Sequence, residues 1–195
     1  MRIVAGTKKG RQIKTPARSD QSVRPTTDRV REGLFNILTH RYGSPFDGGR
    51  VLDLFAGTGA LGLEALSRGA SFALFVDNGA TARGLIRENI HAFEWQGHAK
   101  LFRRDASKLG PAGTMKAFDL VFIDPPYGRG LGEKALTSLV QGNWLQRNAL
   151  VVLEESANAG FSPPETYVLD DERRTGDTIT RILKWVPETP MEIVP

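Results

Sequence analysis

Apolar residues in this chain fall into short runs bounded by glycine and polar turns, and between those runs they recur at helical spacing. Val51 to Phe55, Phe72 to Val76, Ala99 to Phe102, Leu120 to Ile123 and Leu150 to Leu153 read as short buried strands. Helices are predicted between them: through Leu61, Ala65 and Leu66 up to Gly69, from about Thr81 to Phe93, and near Leu131 to Val140. An earlier helix is predicted from Thr26, because Val30, Leu34, Ile37 and Leu38 fall at i, i+4, i+7 and i+8 and make one apolar stripe. Thr26, Thr27 or Asp28 can cap its start, and Gly43 and Pro45 close it. Arg29 and Arg31 lie off the stripe, where they can face solvent or substrate. Strands alternating with helices imply a mostly parallel sheet with helices on both faces. Tyr167 to Leu169 and Thr178 to Trp185, separated by the charged D-D-E-R-R-T-G-D stretch, predict a terminal hairpin that adds an antiparallel strand.

The segment before the first helix has a different pattern. Arg2 to Ala5 and Arg11 to Lys14 are strand-like and flank Gly6-Thr7-Lys8-Lys9-Gly10, which predicts a β-hairpin with a cationic tip. Residues 15 to 25 read as a linker or ordered loop. The expected division is therefore a basic extension over residues 1–25 and one catalytic domain over 26–195, within the size that a single core supports. Residues 1 to 31 hold nine Lys/Arg against two Asp, whereas the remainder holds 17 basic and 20 acidic residues. Such asymmetry points to a polyanionic partner, nucleic acid being the usual one. Arg24, Arg29 and Arg31, with Lys8, Lys9 and Arg11 on the hairpin, are the candidate phosphate contacts. The absence of cysteine excludes disulfides and thiolate metal sites, and His40, His91 and His98 show no metal-ligand spacing, so no metal is expected. No apolar run approaches the roughly 18 residues needed to span a bilayer, and no secretory signal is evident, so a cytoplasmic protein is expected.

Two stretches carry chemistry. Asp53-Leu54-Phe55-Ala56-Gly57-Thr58-Gly59-Ala60-Leu61-Gly62 contains G-x-G-x-x-G between a strand and a helix, where backbone must turn tightly and approach a ligand without Cβ atoms in the way. Asp53 is an awkward neighbour for a dinucleotide pyrophosphate but would welcome an ammonium group, as S-adenosylmethionine carries. This also disfavours a nicotinamide-dependent oxidoreductase. Asp77, at the end of the next strand, is placed to accept ribose hydroxyls, and Asp105, beside Ala106, to meet an adenine amino group. The other stretch is Phe118 to Tyr127, F-D-L-V-F-I-D-P-P-Y. Its prolines force the chain out of the sheet at Asp124, in the crevice where open α/β sheets bind ligands. Asp124 and the carbonyl of Pro125 can accept hydrogen bonds from an amino group whose lone pair must be redirected. Pro125 and Pro126 stiffen that backbone, and Tyr127 can stack on a base turned out of its helix.

The chain resembles the class I S-adenosylmethionine-dependent methyltransferases through D-L-F-A-G-T-G-A-L-G-L-E-A-L-S-R-G-A and F-I-D-P-P-Y. Through R-I-V-A-G-T-K-K-G-R and R-P-T-T-D-R-V-R-E-G-L-F-N-I-L it is similar to the RsmD-type 16S rRNA guanine-N2 methyltransferases, from Arg2 to about Trp185. That resemblance implies a Rossmann-like seven-stranded sheet, with an N-terminal hairpin that touches RNA. It implies S-adenosylmethionine against Asp53, Phe55, Ala56, Gly57, Thr58 and Gly59, with Asp77 and Asn78 at the ribose and Asp105 and Ala106 near adenine. The implied substrate is one guanine of small-subunit rRNA, in naked rRNA or a ribosomal assembly particle, modified by a monomer. Thr175 stands where an aromatic residue is expected, and Asn78-Gly79 where a longer side chain often replaces the glycine. N6-adenine methylation of DNA uses the same D-P-P-Y, and a non-catalytic RNA-binding assembly factor could retain the fold. The first usually needs a further target-recognition region, and the intact motifs argue against the second.

Overall fold

The computed structural model describes residues 1–16 and 28–187. The order of elements is α1 (Asp28–Tyr42), β1 (Arg50–Leu54), α2 (Ala60–Ser67), β2 (Phe72–Val76), α3 (Ala80–Ala92), β3 (Ala99–Phe102), a 3₁₀ turn (Ala106–Lys108), β4 (Phe118–Ile123), α4 (Leu131–Gln141), β5 (Leu145–Ser156), β6 (Tyr167–Thr175) and β7 (Thr178–Trp185). The strands form one seven-stranded sheet in the order β3-β2-β1-β4-β5-β7-β6. Strands β1 to β5 pair in parallel, and β7 inserts antiparallel between β5 and β6. The strand order reverses between β1 and β4, leaving a crevice beyond their carboxyl ends.

Alternation along each strand sends side chains to two separate cores. On one face Val51, Phe75, Leu120, Phe122 and Val152 pack with Phe35 and Leu38 of α1, Leu63 of α2 and Ile86 of α3. On the other, Leu52, Leu74, Val121, Ile123 and Leu153 meet Leu136 and Leu139 of α4 and the fully buried Trp144. Helices therefore cover both faces, three on one and α4 on the other.

The N-terminal hairpin exists. Ile3 N–H donates to the Arg11 carbonyl at 2.9 Å and Gly10 N–H to the Ile3 carbonyl at 2.9 Å. It is docked on the domain by Ile3 and Ile13, which are buried in the first core. The Glu64 carboxylate of α2 accepts the N–H groups of Val4 at 2.8 Å and Ala5 at 3.0 Å.

Several boundaries depart from the sequence reading. β6 runs through the charged stretch to Thr175 because it is the sheet edge, where exposed charged side chains are ordinary and no apolar alternation marks the strand. β5 extends well beyond Leu150 to Leu153, since its pairing with β7 continues through Ser156. In α1 the apolar stripe is displaced. Phe35 is fully buried, whereas Val30 is 38% exposed. Arg31, expected to face solvent or substrate, is fully buried. Its guanidinium contacts Glu64 at 3.4 Å, Asp28 at 2.9 Å and the carbonyl of Arg2. Arg31 is thus unavailable to an RNA phosphate; a cation enclosed against a buried carboxylate is a structural tie. Thr26, Thr27 and Arg24 lie outside the described residues.

Candidate active site

The carboxyl ends of β1, β2, β4 and β5 open into a cavity of about 820 Å³. Asp53, Phe55, Ala56, Gly57 and Thr58 form one wall, Asp77 to Ala82 the next, and Asp124 to Tyr127 face them. Val30 of α1, Glu154 of β5, Thr175 of β6, and Thr178 and Thr180 of β7 complete it.

The glycine turn is held by carboxylates rather than by chance contact. Asp77 accepts from Gly57 N–H at 2.9 Å and, with its other oxygen, from Gly79 N–H at 2.7 Å. Asp53 accepts from Gly62 N–H at 2.9 Å. The chain turns through three residues with positive φ: Phe55 at 56°, Gly57 at 57° and Gly59 at 79°. Phe55 pays a steric cost there that glycine avoids, a form of local strain that clusters at functional sites. Gly62 serves packing, since a Cβ on it would stand 2.4 Å from Phe75 Cε1.

Burial pushes the Asp53 carboxyl up to about 8; the Gly62 N–H opposes this and the nearby Asp77 charge adds to it. A carboxyl in this condition lacks a cationic partner, and a cation placed in the cavity would supply one. Asp105 behaves differently. Its carboxylate caps the 3₁₀ turn by accepting from Ser107 N–H at 2.9 Å and the Ser107 hydroxyl at 2.7 Å, bonds that hold it below its ordinary range. Asp105 and Ala106 are not among the residues lining the cavity, and Ala106 is buried in the second core. Gly59 also stands behind the wall rather than in it. Thr175, the expected aromatic position, lies in the cavity wall itself, so that departure falls at the site.

On the facing wall, Tyr127 donates its hydroxyl to Glu154 Oε1 at 2.7 Å. Burial raises the phenol above its ordinary range; Thr178 opposes this, while the Glu154 and Asp124 charges add to it. Glu155, buried, accepts from Gly128 N–H at 3.1 Å, so consecutive residues of β5 secure the loop that follows Asp124. Sequence reasoning missed Glu154, Thr178 and Thr180, because the β4–β5 pairing brings the first to the loop and the β5–β7 pairing the other two.

The cations of the N-terminal hairpin lie at the other end of the helices. Thr7 N–H donates to the carbonyl of Ser67, the last residue of α2, at 2.7 Å. Arg11 reaches the carbonyl of Ala92, the last residue of α3, at 2.7 Å. Both helices start at the cavity, so the hairpin tip is at least the length of α2 away, roughly 12 Å. Lys8 pairs with Glu94 at 3.3 Å, whereas Lys9 and Arg29 are exposed.

The profile of the family described as conserved hypothetical protein 95 matches residues 1–184. Ribosomal RNA small subunit methyltransferase D of Escherichia coli K12 is 35% identical over 184 residues, covering 93% of this chain and 88% of that one. The protein of the same name from Haemophilus influenzae is 35% identical over 179 residues, with 90% and 89% covered. The solved structure of the Escherichia coli yhhF protein superposes with a TM-score of 0.80 at 32% identity, over 95% of this chain and 98% of that one.

Proposed function

This chain belongs to the conserved hypothetical protein 95 family, that of the RsmD-type methyltransferases, and on that premise we propose that it methylates the exocyclic N2 of one guanine in small-subunit rRNA. The methyl donor is S-adenosylmethionine, and the substrate is presented as 16S rRNA or an assembling small subunit in the cytoplasm. The observation that carries this reading is one cavity with a cation-seeking buried carboxylate on one wall and the Asp124–Tyr127 corner on the other.

S-adenosylmethionine, when bound, supplies a sulfonium methyl as the electrophile. The residues present fit its parts. Asp53 would hold the ammonium, and Asp77, with lone pairs left beyond its two backbone N–H partners, would accept the ribose hydroxyls. The open backbone at Gly57 admits the ligand closely. Asp105 accepts both Ser107 bonds on Oδ1, so its other oxygen keeps the acceptor capacity that the adenine amino group needs. Across the cavity Asp124 Oδ and the Pro125 carbonyl accept the N2 hydrogens of the guanine. Those bonds favour a pyramidal nitrogen and stabilise the positive charge that grows on it. A proton leaving the nitrogen as it is methylated would pass to Asp124 or to water. Tyr127, fixed by Glu154, stacks on the extruded base. Lys9 and Arg29 supply phosphate contacts that position the RNA, and Lys8, Arg11 and Lys14 can do so only by leaving Glu94, the Ala92 carbonyl and Glu88.

Labelled S-adenosylmethionine offered with naked 16S rRNA, small subunits and DNA tests the reading. Label is expected on guanine N2 of the rRNA, and label confined to DNA adenine or to protein overturns it. Asp124→Ala is expected to lower transfer by about 10²–10³-fold, with cofactor affinity within a few-fold of the parent.

A further inference from the structure

Asp124 is not the only carboxylate at the reacting end of the cavity. The last paired residues of β4 and β5 are Ile123 and Leu153. The residues that follow them, Asp124 just past the end of β4 and Glu154 still within β5, therefore come from neighbouring parallel strands, at the strand spacing of about 4.8 Å. Both line the cavity, and both charges bear on the phenol of Tyr127. Alternation along β5 separates Glu154 from its neighbour. Glu155 is buried and spent on Gly128 N–H and Ser156 N–H, whereas Glu154 turns to the cavity. Glu154 Oε1 accepts one hydrogen bond from Tyr127. A carboxylate has about four acceptor sites, so acceptor capacity remains.

Two adjacent acceptor groups fit one purine edge better than the other. Guanine presents N1–H and N2–H₂ as neighbouring donors on its Watson–Crick edge. Adenine presents N6–H₂ beside an N1 lone pair, which a carboxylate repels. We propose that Glu154 is the base-specificity residue of this enzyme: its carboxylate accepts guanine N1–H while Asp124 and the Pro125 carbonyl accept the N2 hydrogens. This rests on the methyltransferase reading above and deepens it, because it selects guanine from the chemistry of the cavity. A site built to accept a donor rejects an analogue that lacks it strongly, since the half-buried carboxylate then faces a lone pair.

Glu154→Gln separates this role from simple anchoring, because the glutamine carbonyl still accepts the Tyr127 hydroxyl. Its amide N–H₂ can donate to an unprotonated N1. The probe is a small subunit reconstituted with 16S rRNA in which the mapped guanine is replaced, by ligation of a synthetic fragment, with 2-aminopurine. That base keeps the 2-amino group but carries a lone pair at N1. The parent enzyme is expected to prefer guanine by about 100-fold or more in kcat/KM. Glu154→Gln is expected to compress that preference to within about 10-fold, with unchanged Tm and S-adenosylmethionine affinity. An unchanged preference overturns the proposal, and so does an equal loss on both bases, which would mark Glu154 as an anchor or general catalytic group. The parent assay on guanine reads out separately: if it shows no methylated guanine, the methyltransferase reading itself fails.

Discussion

At the residue scale, the four aspartates that end strands in the sequence have four different fates. Asp53 is buried beneath the glycine turn, Asp77 braces that turn, Asp105 caps a 3₁₀ turn, and Asp124 borders the reacting end of the cavity. Their positions were legible because each lies in or just beyond the end of an apolar run. Their fates were not, since burial and backbone partners depend on the packing of the following helix. Asp53 has a consequence for stability. Its carboxyl is raised to about 8 in the folded protein, above its ordinary 3.8, so the folded chain keeps a proton that the unfolded chain releases. Stability of the ligand-free protein should therefore fall as pH rises from about 4 to about 8 and level off above that. Asp53→Asn keeps an acceptor for Gly62 N–H and removes the titration. At pH 8.5 it should raise Tm by about 2–4 °C or more, while weakening S-adenosylmethionine binding at least about 10-fold. Thermal melts at pH 5 and 8.5 check the first part, and a parallel pH profile for variant and parent would refute it.

At the element scale, β2 and β3 matched their predicted limits, and α3 and α4 came within a residue, because each has a buried apolar face. β5 and β6 did not, because their ends are polar and their strand character comes from pairing with β7. The site inherits that blindness: Glu154 and Thr178 reach it from the portions of strand that no apolar pattern marks. The α1 stripe was misread at Val30 and Arg31 because an arginine satisfied by carboxylates can occupy an inward position. Glycines in helices give a clean contrast. Gly62 faces Phe75 at a distance no Cβ tolerates, whereas Gly33 in α1 has nothing near it and no positive φ. Gly62→Ala should destabilise the fold by about 1–3 kcal/mol, and Gly33→Ala should stabilise it by about 0.5–1 kcal/mol. Chemical denaturation of the two variants measures both, and equal effects would contradict this account of Gly62.

At the scale of the whole molecule, the N-terminal extension belongs to the core through residue 14. Glu64, fully buried, gathers Val4, Ala5, Arg31 and Arg68, and so ties the extension and α1 to α2. Asn89, also buried, accepts from Lys14 N–H at 2.8 Å and donates to the Thr58 carbonyl at 3.0 Å, tying the extension to the glycine turn. Deleting residues 1–14 would expose the sites of Ile3 and Ile13 and strip donors from a buried carboxylate. A loss of about 3 kcal/mol or more is expected; a truncated chain melting within a couple of degrees of the parent would show the extension to be a separate arm. The sequence by itself determined the alternation of strands and helices, the glycine turn, the corner at Asp124 and the basic N-terminus, because apolar periodicity and punctuation are local properties. Only the tertiary structure decided which charges are spent and which are presented. Arg31 is enclosed and Lys8 is paired, while Glu154 is brought beside Asp124 from 30 residues away. The reason is physical: strand register and burial set a side chain's partners, and neither is encoded within one stretch of chain.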